Sequence, residues 1–258
     1  MSTAMSIDEL LTFIFNDQPH LLATPMATWL AASCRFTAFV ADFRTKIHKK
    51  LWATPEIESL LDLRRELETA YLLLRERSFS LVYEPQRSGQ TRGPDFTVTF
   101  TTSLLFIVEV TRLRLIQYSL RSLDRIEGSA PFLPTAPTRS LTEERLAEIV
   151  CSKLGQLPPQ RSNVLLVQVE DARLTSDVLR AAMIHLQRRA ERNEDAYVQR
   201  HQFRDRADFF NHYQRLSELL VRVPELQADE PVIGWINPQA RYPLPGKVRT
   251  ALHRSHIG

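Results

Sequence analysis

Two acids stand within stretches that otherwise read as strand: Asp95 in Gly93-Pro94-Asp95-Phe96-Thr97-Val98-Thr99-Phe100, and Glu109 in Leu104-Leu105-Phe106-Ile107-Val108-Glu109-Val110. Residues 96–101 alternate aromatic or β-branched types, and 104–110 form a nearly continuous apolar run, expected to be buried on both faces. Thr101-Thr102-Ser103 between them is short enough for a hairpin loop. If those three residues are the loop, Phe100 pairs with Leu104 and Asp95 stands opposite Glu109; a two-residue loop shifts the register by one. Opposed residues on one face have Cβ atoms about 4.5–5.5 Å apart, where two carboxylates repel. A hard divalent cation such as Mg²⁺ offsets that repulsion and leaves coordination positions for water and a phosphate oxygen. The plainer alternative makes Asp95 a turn residue after Pro94 and Glu109 a strand-end acid reaching solvent. Against it, a Glu that follows the run Leu104 to Val108 is seldom buried without a partner.

Pro94-Asp95, thirteen intervening residues and then Glu109-x-Thr111 resemble the motif of the PD-(D/E)xK, or restriction-endonuclease-like, nuclease superfamily. The resemblance implies metal-dependent hydrolysis of nucleic-acid phosphodiesters, with DNA the foremost partner. It implies that Asp95 and Glu109 hold Mg²⁺ or Mn²⁺, that the main-chain carbonyl of Val110 adds a ligand, and that Glu66, on the helix before the first strand, holds a second ion or a water. Glu68 is the reserve choice for that third acid. Thr111 stands where the motif has lysine, and a hydroxyl can only hydrogen-bond where lysine supplies charge. Some members carry a substitute lysine or glutamine on the following helix, which makes Lys153, with Gln156 nearby, the candidate replacement; a lysine at a helix C-terminus also simply offsets the helix dipole.

Those residues need a particular succession of elements to hold them. Ser6 is a plausible cap for a helix over 7–16, and a second helical stretch covers roughly 25–50, ending in His48-Lys49-Lys50, which can meet phosphate or offset the dipole. Thr54-Pro55 reads as a cap and first-turn proline opening a helix to about Arg77, with an apolar stripe of Leu60, Leu63, Leu67, Ala70, Leu73 and Leu74. Residues 78–84 alternate as a first strand, and Pro85 to Gly93 form a polar loop whose Arg87 and Arg92 could touch a phosphate backbone. The segment 115–139 reads as a long loop or insertion after a short helix at 115–124. A helix then leads from Leu141 to a stop at Gly155, and Asn163 to Val169 form a buried strand, expected beside 104–111 and parallel to it. Helix, three strands, helix, strand is the order that the superfamily resemblance implies, covering about residues 55–170.

The fold expected is α/β: a restriction-endonuclease-like core (helix, three antiparallel strands, helix, parallel strand) with helical N-terminal and mixed C-terminal extensions. Residues 1–54 form the first extension, 55–170 the core, and 171–258 the C-terminal helices and closing strand. Within the last part, 176–189 is helical, and Phe203 to Leu220 sets aromatics at helical spacing among Arg204, Arg206 and Arg215, a pattern for core packing or for nucleic-acid contact. Ser217 to Val223 can pass into a strand that pairs with 232–237.

Other chemistries are poorly represented. The chain of 258 residues is 43% hydrophobic with a formal charge of +3, a balance that permits nucleic acid without demanding it. Cys34 and Cys151 have neither metal-ligand nor disulfide-framework spacing, so a reducing, cytoplasmic setting is expected. No leader or bilayer-spanning run is read, so no membrane partner is expected. There is no Gly-rich phosphate loop and no nucleophile elbow, and His185, His201 and His212 read as surface or packing residues. Three functions stay open at this point: the nuclease; a catalytically weakened or inactive protein of the same fold that binds nucleic acid or protein, motivated by Thr111; and a structural or regulatory partner with no site. Oligomeric state is not legible.

Overall fold

The sequence signals are realised element by element in a computed structural model that describes residues 5–53, 56–85, 93–113, 139–169, 174–192, 200–223 and 232–257. Helix α1 (Ile7–Phe15) is opened by a full capping box, with the Ser6 hydroxyl accepting from Glu9 N–H and the Glu9 carboxylate accepting from Ser6 N–H. The expected single helix over 25–50 is two helices, α2 (Ala23–Ala32) and α3 (Cys34–Ala53), separated by an extended Ser33. Ser33 ends the first and caps the second, its hydroxyl accepting from Phe36 N–H at 3.2 Å. Helix α4 (Ile57–Arg75) starts behind Glu56; the Thr54-Pro55 cap lies outside the described residues, as do Arg87, Arg92 and the segment 115–138.

Strands β1 (Phe79–Tyr83) and β2 (Phe96–Phe100) pair antiparallel with Tyr83 opposite Phe96, and β3 (Leu104–Leu113) follows the three-residue turn 101–103. Helix α5 (Arg139–Leu154), β4 (Ser162–Val169), α6 (Ser176–Glu191), α7 (Arg206–Tyr213), β5 (Leu216–Arg222), β6 (Val232–Ile236) and α8 (Gly246–Ile257) complete the described elements. The segment 203–220, expected to carry helical spacing, therefore divides into α7 and a strand. The six strands of the described residues form one mixed sheet in the order β1-β2-β3-β4-β5-β6. Strand β4 lies beside β3, as expected; β5 is parallel to β4, and β6 is antiparallel to β5.

The chain divides into two compact units, residues 1–106 with 245–258 and residues 107–244, the division falling within β3. In the first, α1, α2 and α3 pack on one another, α3 and α8 pack on α4, and α4 packs on β1. Its interior is aromatic: Tyr83 stacks on Phe96 at 5.4 Å between ring centroids, with Phe39 and Phe43 against it. In the second, α5 and α6 cover a core of Leu113, Leu165, Val167, Leu219 and Val221 from the sheet and Leu146, Val150, Leu154, Leu179 and Met183 from the helices. No helix among the described residues is long and apolar enough to cross a membrane.

Candidate active site

Alternation along β3 puts Glu109, Thr111 and Leu113 on one face. Leu113 belongs to the core that Leu146, Val150 and Leu154 of α5 complete, so this face is turned to α5. From the last turn of α5, the Lys153 Nζ donates to Glu109 Oε1 at 2.9 Å and to Gln156 Oε1 at 3.2 Å. Glu109 is 3% exposed and the Lys153 side chain 14%, so the pair is largely withdrawn from water. Removing one partner from such a pair leaves a charge in low dielectric, typically at a cost of about 3–5 kcal/mol. Thr111, part-buried, is the next residue along the same face. A positive charge is thus brought to the strand acid by a residue more than forty positions later in the chain.

A second cluster lies in the first unit. Glu66 of α4 is 6% exposed; both its oxygens accept from Lys50 Nζ, at 2.9 and 2.6 Å, and Oε2 also accepts from the Tyr83 hydroxyl at 2.7 Å. Lys50 donates as well to Glu84 Oε1 at 2.8 Å. Burial opposes the Lys50 charge, but the carboxylates of Glu66 and Glu84 outweigh it and hold the ammonium above the usual lysine range. Burial first, then the charges of Glu66, Glu84 and Asp95 and the bond to Glu66, push the Tyr83 phenol well above its ordinary value. Glu68, the reserve acid, makes a salt bridge with Arg65 at 2.9 Å.

Asp95 immediately precedes β2 and is 3% exposed. Its main-chain carbonyl accepts from Glu84 N–H at 2.8 Å, which fixes it against the end of β1. Gly93 just before it approaches Pro85 so closely that a Cβ would sit 2.3 Å from the Pro85 carbonyl oxygen. Only glycine permits that closure. Asp95 and Glu66 are in the first unit, and Glu109, Val110, Thr111 and Lys153 are in the second.

The donor sets differ in their fit to a cation. Asp95 and Glu109 are buried hard-oxygen donors, and Mg²⁺ is commonly held by one or two carboxylates with waters and substrate phosphate filling the remainder. Among the described residues, no group of three or more His, Cys, Asp or Glu is arranged to hold a metal. Glu66 does not fit a second ion, since its carboxylate already accepts three short hydrogen bonds from Lys50 and Tyr83.

Sequence reasoning missed Lys46, Lys50, Tyr83 and Glu84 as partners. Lys46 and Lys50 are one turn apart on one face of α3, and Lys46 Nζ donates to the Tyr83 and Glu84 carbonyls at 3.0 and 2.8 Å. The i, i+4 lysine pair was a visible signal; its target was not.

Compared with family models, curated proteins and solved structures, the chain matches none.

Proposed function

We propose that this protein is a Mg²⁺-dependent nuclease, with Mn²⁺ as an alternative ion, that hydrolyses phosphodiester bonds of nucleic acid, DNA foremost. The observation that carries the proposal is the 2.9 Å contact of Lys153 with Glu109: a buried strand acid at the second motif position has a lysine beside it although Thr111 replaces the motif lysine. Under this proposal Asp95 and Glu109 act as metal ligands, the Val110 carbonyl adds a ligand, and Glu66 keeps Lys50 as its cation. The bound ion would polarise the scissile phosphate and lower the pKa of its water. Lys153 holds a fixed positive charge beside Glu109, where negative charge develops on the phosphate oxygens. Burial of Glu109 keeps water from screening that charge.

The second reading, a nucleic-acid- or protein-binding module of the same fold, is favoured by Thr111 itself. A plasmid-nicking assay with Mg²⁺ and with Mn²⁺ separates the two. Metal-dependent nicking by the wild type, abolished in Asp95→Ala and in Glu109→Ala, is the expected result. A wild type that does not nick, or an Asp95→Ala variant that nicks equally well, would overturn the assignment.

A further inference from the structure

We infer that Lys46 and Lys50 of α3 form a clamp on Glu84 that sets the backbone position of Asp95, and that both act as positioning residues for the ion proposed above. The inference rests on the metal-dependent reading, since it gives Asp95 a ligand to hold.

The geometry runs in one direction through the chain. Glu84 has φ 43, in the left-handed region that side chains other than glycine rarely adopt. Such a conformation persists only where the surroundings over-determine it. Here Lys46 Nζ donates to the carbonyls of Tyr83 and Glu84, and Lys50 Nζ binds the Glu84 carboxylate. Main chain and side chain of Glu84 are therefore held from the same helix face. In that conformation the Glu84 N–H is aimed at the Asp95 carbonyl, 2.8 Å away, one position beyond the last β1–β2 pair, Tyr83 with Phe96. Lys50 is itself anchored by Glu66 and Tyr83, so α3, α4 and β1 converge on the residue that holds Asp95. Groups outside the ligand set that orient a metal ligand are worth about 10–100-fold in metal affinity or activity when lost.

The test is Mn²⁺ binding by titration calorimetry on the intact wild type, Lys46→Met and Lys46→Arg, together with hydrogen exchange of the Glu84 amide in the metal-free proteins. Lys46→Met keeps the apolar stem over Phe43, where the ammonium now lies 5.8 Å from the ring centroid, and removes only the donors. The expected results are a roughly 10-fold loss of Mn²⁺ affinity in Lys46→Met, faster exchange at Glu84, and recovery of most of both in Lys46→Arg. If Lys46→Met fails to fold, Lys46→Leu replaces it, with the same losses expected. A variant that exchanges Glu84 faster yet binds Mn²⁺ as tightly as wild type overturns the positioning role. Unchanged exchange and unchanged affinity overturn the clamp. A wild type that binds no Mn²⁺ overturns the metal reading of Asp95, and the positioning role falls with it, a result distinct from the other two.

Discussion

Two lysines, each in the last turn of a helix, meet a buried glutamate in this molecule, and the two meetings differ in kind. Lys50 is shared among Glu66, Glu84 and Tyr83, and the Glu66 carboxylate takes three short hydrogen bonds from Lys50 and Tyr83. Lys153 reaches Glu109 on one oxygen and steadies itself on Gln156. The first arrangement is a filled network that joins α3, α4 and β1. The second sets one carboxylate oxygen and one ammonium side by side where β3 meets α5, the contact on which the proposed nuclease reading rests. Proximity of Lys to Glu is therefore a poor marker of function by itself. What separates the two is the setting: Lys50 ties Glu66, Glu84 and Tyr83 together, whereas Lys153 reaches a strand acid from the helix that covers its face.

The largest expected effect falls on the filled network. Lys50→Met leaves Glu66 buried without its cation and should destabilise the fold by about 3–5 kcal/mol in urea melts at neutral pH. The effect should be pH-dependent with a definite sign. The Lys50 pKa is raised in the folded chain, so its contribution is full below about pH 10, where the unfolded lysine begins to release its proton, and fades as pH rises through the higher folded value. Tyr83, also raised, acts in the same direction, because the unfolded phenol ionises near pH 10 while the buried one stays neutral. Wild-type stability should accordingly drop above that pH and the gap to Lys50→Met should narrow; a gap that widens would show that the network is not what holds Lys50.

If Asp95 and Glu109 are metal ligands as proposed, they should respond to ions and the filled network should not. Millimolar Mg²⁺ or Mn²⁺ should stabilise the wild type and raise its melting temperature, the stabilisation being about 2.7 kcal/mol at a hundredfold excess over Kd. Asp95→Asn should lose most of that gain. A wild type whose melt ignores both ions would move the assignment to a binding module. The smallest effect expected is from Gly93→Ala, whose Cβ would meet the Pro85 carbonyl at 2.3 Å. Forcing those backbones apart should destabilise by about 2 kcal/mol. It disturbs the approach to Asp95, so its metal-induced melting shift should also shrink.

Much of this frame is legible in the chain because its signals are local. Ser6 and Glu9 announce α1; Thr101-Thr102-Ser103 between two β-branched runs announces the β2–β3 turn; Gly155 follows the last residue of α5. Ser33 went unread because apolar spacing continues across it, although a serine three residues before Phe36 is a cap signal. The strand within 203–220 carries Leu219 and Leu220 at spacings that suit a helix equally well, and only its pairing with β4 decides the matter. Helix α8 was not anticipated: its last turn is basic and its hydrophobic face is short. At the candidate site, Asp95 and Glu109 stand out by residue type and order and Lys153 only through the family resemblance, but the destination of a lysine side chain is not legible. Lys50 and Lys153 both read as helix-end charges, and what distinguishes them from exposed Lys49 is a partner far away in sequence.

The most direct measurement is therefore plasmid nicking, in Mg²⁺ and in Mn²⁺, by Lys153→Met and by the double variant Lys153→Met/Thr111→Lys. On the proposed nuclease reading, loss of this charge should slow cleavage by about 10²–10³-fold in the single variant. Returning a lysine to the motif position should recover cleavage in the double variant. Nicking by Lys153→Met at the wild-type rate would contradict the claim that Lys153 serves the acid it touches.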